Sequence, residues 1–313
     1  MREAMRAIER RLAEGGVVLL DGATGTELQR RGAPMSDDAW CALASASHPD
    51  LLRTIHEDYI RAGSDLITTN TFASARHLME RAGYGSRTRE LQRRAVEIAR
   101  EAVQRVADRP VVVAGSISTM RPVGKGTDQR DPDVDLAAIP WAANMRETAE
   151  TLAEAGADLL LLEMISDVDH GMLALEAALA TGLPVWAGLS AKRQDGTLVS
   201  YRDDGPTFRE LVDHWTQQPV QALGIMHTAL PDIEESLDLL LARSSVPAMA
   251  YPEAGYFRSP DWTFTEIDPE SLATAAVGWA RRGVRILGGC CGLGPSHIAA
   301  LAQRLTTDHA AAT

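Results

Sequence analysis

Cysteine is scarce in this chain, with three among 313 residues. That is too few for a disulfide framework, so the expected setting is a reducing cytoplasm. Basic charge is also short: 31 Lys and Arg face 43 Asp and Glu, a net charge of −12. Such a balance argues against a nucleic-acid partner and against an anionic membrane surface. No apolar run approaches the length of a membrane span. A secretory signal is not evident either, because residues 1–14 read as a charged amphipathic helix. What the chain does have is 45% hydrophobic content, ample for a real core. At this length, one large barrel or two ordinary domains would fit.

Short apolar runs alternate with longer helical patterns. Strand candidates lie at 17–20, 65–69, 111–114, 159–162, 184–189, 220–224, 246–250 and 284–287. They are apolar without clean alternation, as parallel strands buried on both faces should be. Helical patterns span 49–62, 88–107, 141–155, 168–180, 206–215, 231–242, 269–282 and 295–305. Five of the eight open on proline, which suits a first helical turn, and several stop at glycine. Eight strand–helix units predict a single (β/α)8 TIM barrel over residues 1–313. The competing open doubly wound sheet lacks a G-x-G-x-x-G after its first strand. Residues 124–134 and 195–204 read as loops over one barrel face, and 309–313 as a frayed tail.

In such a barrel the site forms at the C-terminal ends of the strands. Those ends here carry Asp21-Gly22-Ala23-Thr24-Gly25-Thr26-Glu27, Thr69-Asn70-Thr71-Phe72, Gly115-Ser116-Ile117-Ser118, Glu163-Met164, Gly224-Ile225-Met226-His227, Tyr251-Pro252-Glu253 and Gly288-Gly289-Cys290-Cys291-Gly292. The adjacent cysteines are poorly placed for a vicinal disulfide, since neighbouring Cα atoms sit closer than an unstrained bridge allows. Two soft thiolates at one point suit zinc. The competing reading is a pair of small buried residues at a strand end.

Taken together, Asp21-Gly22-Ala23-Thr24-Gly25-Thr26-Glu27-Leu28, Thr69-Asn70-Thr71-Phe72, Glu163 and Gly288-Gly289-Cys290-Cys291-Gly292 resemble the homocysteine S-methyltransferase family, in order, from about Val17 to about Gln303. The resemblance implies a zinc-dependent methyl transfer from a sulfonium or quaternary ammonium donor to a thiol, homocysteine giving methionine. It implies a metal site of three cysteines, two of them matched by Cys290 and Cys291. The third falls on His227, preceded by Met226 where the family has asparagine; Cys41 lies elsewhere, after the first strand. Residues 115–122 also depart from the family's Gly-Ser-x-Gly-Pro. Two thiolates and an imidazole are a known set for catalytic zinc. Exchanging a thiolate for neutral imidazole removes one negative charge, so the metal should be more Lewis-acidic and the bound thiol more readily ionised but less nucleophilic.

The resemblance further implies that Asp21 and Glu163 hold the amino group of an amino-acid thiol by charge-assisted bonds. Asn70 and Thr71 would bond its carboxylate, and Gly22 would permit close backbone approach. The competing roles are helix capping and loop structure. Four further histidines, His48, His56, His77 and His170, show no ligand spacing and read as surface or helix residues. Tyr201 and the run after it, residues 202–205, read as loop. The expected partners are a small-molecule thiol acceptor and a methyl donor, with a homo-oligomer left open. Two other functions compete: a hydrolase using the same zinc to activate water, and a non-catalytic binding protein with an altered metal site.

Overall fold

The computed structural model describes residues 3–202 and 205–312. Eight parallel strands form one sheet: β1 Val18–Leu19, β2 Leu66–Thr68, β3 Val112–Ser118, β4 Leu159–Ile165, β5 Val185–Leu189, β6 Ala222–Ala229, β7 Ala248–Glu253 and β8 Val284–Leu287. Their order is β1-β8-β7-β6-β5-β4-β3-β2. A parallel bridge between Leu20 and Leu66 joins the two ends, closing the sheet into the expected barrel.

The strands are mostly apolar because both of their faces are buried. In β4, Leu159 and Leu161 point into the barrel, while Leu160 and Leu162 pack outward against the helices. This period of two, without a polar face, explains why hydrophobic alternation is missing from the sequence. Trp186 lies in the inner cluster as packing. Met5 and Ile8 of the helix Glu3–Ala13 join that cluster, and Arg11 pairs with Asp65 at the start of β2, so this helix closes the barrel floor.

The outer helices match the proline and glycine punctuation. Pro49–Ala62 opens on its proline and stops at Gly63, whose φ of 113° is left-handed. Thr88–Val106, Trp141–Ala155, Asp169–Leu179, Phe208–Trp215, Ile233–Leu241, Pro269–Arg281 and Pro295–Ala312 complete the ring.

Three expectations need correction and one is narrowed. The expected tail is helical to Ala312, with Thr313 outside the described residues. Residues 195–204 are not simply loop: Ala191–Gln194 and Thr197–Ser200 pair as an antiparallel hairpin, whereas Asp203 and Asp204 lie outside the described residues. His56 and His77, expected as surface or helix residues, are helix residues and are buried. Strands β3, β4, β6 and β7 run three to five residues past their expected ends, so Ser116, Glu163 and His227 sit within strands rather than after them. Three short helices, Thr24–Arg30, Ala44–Ser47 and Arg76–Arg81, and a second hairpin, Gly255–Arg258 with Asp261–Phe264, add to the C-terminal face.

Candidate active site and metal centre

A cavity of about 420 Å³ opens at the C-terminal end of the barrel. Asp21, Gly22, Asn70, Glu163, His227, Cys290 and Cys291 all line it. Thr71 does not; its hydroxyl donates to the Ser116 carbonyl at 2.7 Å, behind the wall.

The cysteine loop is fixed from both sides. Gly289 N donates to the Asp21 carbonyl (3.1 Å), and Gly292 N to Thr26 Oγ1 (3.0 Å). Opposite, Cys290 N donates to the Pro252 carbonyl (2.8 Å), and Ala254 N to the Cys291 carbonyl (2.7 Å). The close approach at Gly22 is to protein: an added Cβ would meet the Leu293 carbonyl at 2.3 Å and the Tyr59 ring at 2.9 Å. Gly25 likewise admits the Trp40 ring and the Cys41 sulfur, 2.6 and 2.9 Å from where its Cβ would be.

Two strands break their register at the site. The pairing of β6 with β7 shifts between Met226 and Ala229, and that of β4 with β5 between Leu162 and Ile165. His227 and Met164, in these two irregular stretches, adopt left-handed φ values of 44° and 57°. Bulges of this kind re-aim side chains beside active sites, and the strain persists only where surrounding packing enforces it. Here the result is a cluster: His227 Nδ1 lies 3.7 Å from Cys290 Sγ, which lies 3.9 Å from Cys291 Sγ, and all three ligand atoms fall within 4.8 Å of one another. Those spacings suit one ion with ligand distances of about 2.0–2.3 Å. Cys41 is absent from the cluster, and burial raises its thiol to about 12.

The cluster's charges are mutually arranged. The neighbouring Cys291 thiol, then His227, lower Cys290 to about 6 against its burial, while Cys291 is driven well up by the same contact and by burial. Burial alone would lower His227, but the Glu253 carboxylate, Tyr201 and Cys290 together outweigh it and hold the imidazole well above its ordinary value. Glu253 Oε2 approaches His227 Nδ1 to 2.9 Å as an ion pair, off the line of a hydrogen bond.

The carboxylates face the same space. Burial raises Glu163 to about 8, partly offset by the Ser116 hydroxyl, which donates to it. Burial likewise raises Asp21 well above its ordinary value, although Thr68 donates to it from its N–H at 2.8 Å and its hydroxyl at 3.1 Å. Asn70 Nδ2 donates to the Cys41 carbonyl at 2.8 Å.

The aromatic wall was not legible as site from sequence. Tyr201 packs its ring 4.9 Å from that of His227, and Trp262 stands 5.7 Å away on another side. Trp40 meets Phe72 and Phe257 edge-on, each at 6.0 Å. Arg202, next to Tyr201, pairs with Asp167 and donates to the Thr119 carbonyl, tying the hairpin beside β5 to the end of β3. Asp167 is lowered to about 2 because His170 and Arg202 outweigh its burial. Glu253 had one available signal: it ends β7 as Glu163 nears the end of β4, a carboxylate closing an apolar run.

The comparisons agree with this geometry. Residues 18–305 match the family described as homocysteine S-methyltransferase. The homocysteine S-methyltransferase of Escherichia coli K12 is 31% identical, over 92% of this chain and 95% of its own. The selenocysteine Se-methyltransferase of Brassica oleracea var. italica is 30% identical, over 94% and 90%. The crystal structure of the homocysteine methyltransferase MmuM from Escherichia coli, in its metallated form, superposes with a TM-score of 0.74 at 28% identity, covering 96% of this chain and all of that one. With its barrel, its cysteine pair and its match over nearly the whole length, the chain belongs to the homocysteine S-methyltransferase family and is an S-methyltransferase.

Proposed function

We propose that the protein methylates homocysteine to methionine, taking the methyl group from a sulfonium or quaternary ammonium donor and using zinc held by His227, Cys290 and Cys291. The observation that carries the reading is the meeting of two thiols, an imidazole and two buried carboxylates in one aromatic-walled cavity. The donor set fits the metal: two soft sulfurs and a borderline nitrogen, with neighbouring donors 3.7 and 3.9 Å apart. The MmuM structure described as metallated supports the same reading. When bound, zinc lowers the pKa of a thiol so that it is ionised near neutral pH.

The chain's own residues supply binding and orientation. In this reading Glu163 and Asp21 hold the acceptor's ammonium and Asn70 contacts its carboxylate; that all three line the cavity supports it. Tyr201, Trp262, Trp40 and Phe257 line the cavity, and in this reading they contact a cationic methyl donor, at about 0.5–2 kcal/mol for each ring that stacks on it when desolvated. They also keep water from the reacting atoms. In the transfer, the acceptor sulfur's electron pair forms the new C–S bond. The bond from methyl to its onium atom breaks, and that electron pair stays on the leaving group, which departs neutral. Holding the two reactants in line is most of the catalytic task.

A selenol acceptor is the second reading, favoured by the likeness to the Brassica enzyme. The first test is metal content of protein purified under reducing conditions, beside His227→Ala, followed by methyl transfer to homocysteine from S-methylmethionine. About one zinc per chain, weakened in the variant, together with methionine formation supports the proposal. Failure to take up zinc, or transfer to selenocysteine alone, overturns the zinc or the acceptor assignment respectively.

A further inference from the structure

Trp262 lines the cavity beside His227, and a side chain that does not line the cavity fixes where it stands. Trp262 belongs to the hairpin of Gly255–Arg258 with Asp261–Phe264, whose register sets Phe257 opposite Trp262. Two such short strands hold their shape poorly by themselves. Gln29, in the helix Thr24–Arg30 that follows β1, supplies the missing neighbour. Its Nε2 donates to the Trp262 carbonyl at 2.9 Å, and its Oε1 accepts from the Trp262 N–H at 2.8 Å. One side-chain amide thus pairs with both backbone groups of residue 262, as an adjacent strand would, across 233 residues of chain. The amide can sit only this way round, because a backbone N–H donates and a carbonyl accepts.

The indole is tied separately. Trp262 Nε1 donates to the Ala254 carbonyl at 3.1 Å, and Ala254 N donates in turn to the Cys291 carbonyl at 2.7 Å. The ring's own bond fixes its tilt, whereas the Gln29 pair fixes the backbone from which it projects. Neighbours of Gln29 on the same helix have a second duty. Arg30 lies over the Phe264 ring at 4.5 Å but also donates to the Gly292 carbonyl, and Thr26 accepts from Gly292 N. Among the described residues, the Gln29 amide bonds to Trp262 alone.

We propose that Gln29 is a positioning residue for the methyl donor: by holding the backbone of Trp262 it sets the place of the indole in the cavity wall, and so the affinity for a cationic donor that it does not itself touch. This rests on the donor reading proposed above. A contact with a cation depends steeply on where the ring stands, and a contact equally strong in ground and transition states appears in KM rather than in kcat.

The test uses the full-length, zinc-loaded protein with homocysteine and S-methylmethionine. Gln29→Met keeps the length of the side chain and removes both bonds. It should raise donor KM by about three- to tenfold, with kcat, homocysteine KM and zinc content unchanged. Trp262→Leu should raise donor KM as well, and adding Gln29→Met to it should change nothing further, because the two act through one ring. Gln29→Glu, which keeps the acceptor for the Trp262 N–H but sets an oxygen against the Trp262 carbonyl, should shift donor KM in the same direction and serves if the methionine variant does not fold. An unchanged donor KM would overturn the proposal. So would effects that multiply in the double variant, since Gln29 would then act apart from the ring. A homocysteine KM that rises alongside the donor KM, or a loss of zinc, would show a general loosening of the barrel mouth and would overturn it too. Absence of transfer in wild type would overturn the donor reading beneath it, a failure visible before any variant is made.

Discussion

Glu163→Gln should affect acceptor binding in a pH-dependent way that a packing role would not produce. The carboxyl is buried, bonded by Ser116, and raised to about 8. A charge-assisted bond from the acceptor's ammonium to ionised Glu163 is worth about 1.5–3 kcal/mol, or roughly ten- to a hundredfold in affinity. Near pH 6 the wild-type group is protonated, and ionising it for the acceptor costs about two pH units, close to 2.7 kcal/mol. The two terms then nearly cancel. The wild-type advantage over the glutamine variant should therefore be small at about pH 6 and grow to roughly ten- to a hundredfold by about pH 8.5. The assay is acceptor affinity, or kcat/KM for homocysteine at saturating donor, measured for both proteins across that range. A ratio that stays flat with pH, or a variant equal to wild type at the alkaline end, would refute the role given to Glu163.

Three more outcomes follow from buried groups. His56 is fully buried with neither ring nitrogen bonded, and burial lowers it to about 4. The unfolded chain binds the proton first, so His56 makes stability fall as pH drops from about 6.5 toward 4, by about 3 kcal/mol in all. His56→Leu should remove that share of the slope in denaturant titrations; an unchanged slope would exclude His56 as its source. Asp167→Asn should release Arg202 and loosen the Ala191–Ser200 hairpin that carries Tyr201 toward His227. We expect a several-fold rise in donor KM, with faster amide exchange in that hairpin; a change in KM with protection intact would contradict the latch. Gly224→Ala should destabilise the barrel by about 1–3 kcal/mol, because its Cβ would meet the Met249 carbonyl at 2.7 Å; a wild-type Tm would show that β7 can yield there.

The barrel itself was legible because its determinants are local. Apolar runs such as 159–162 and 284–287, and stops such as Gly63 and Gly156, are read one element at a time. The ends of β4 and β6 are less legible because a polar residue, Glu163 or His227, breaks each apolar run, and the residues beyond it pair only across a register shift with partners distant in the chain. The Cys290-Cys291 pair announced itself by adjacency alone, and Glu163 by closing an apolar strand.

The rest of the site is a property of closure. Glu253 and Tyr201 are both remote from His227 along the chain, one on each side, yet both contact it, because barrel curvature converts sequence distance into a shared mouth. His56 and His77 look like surface histidines in an amphipathic pattern, and only helix-on-barrel packing buries them. Sequence by itself determined the architecture, the cysteine pair and the family. The tertiary structure alone decided which charge faces His227, because a carboxylate's partner depends on where two strand ends converge in space, and no local propensity encodes that.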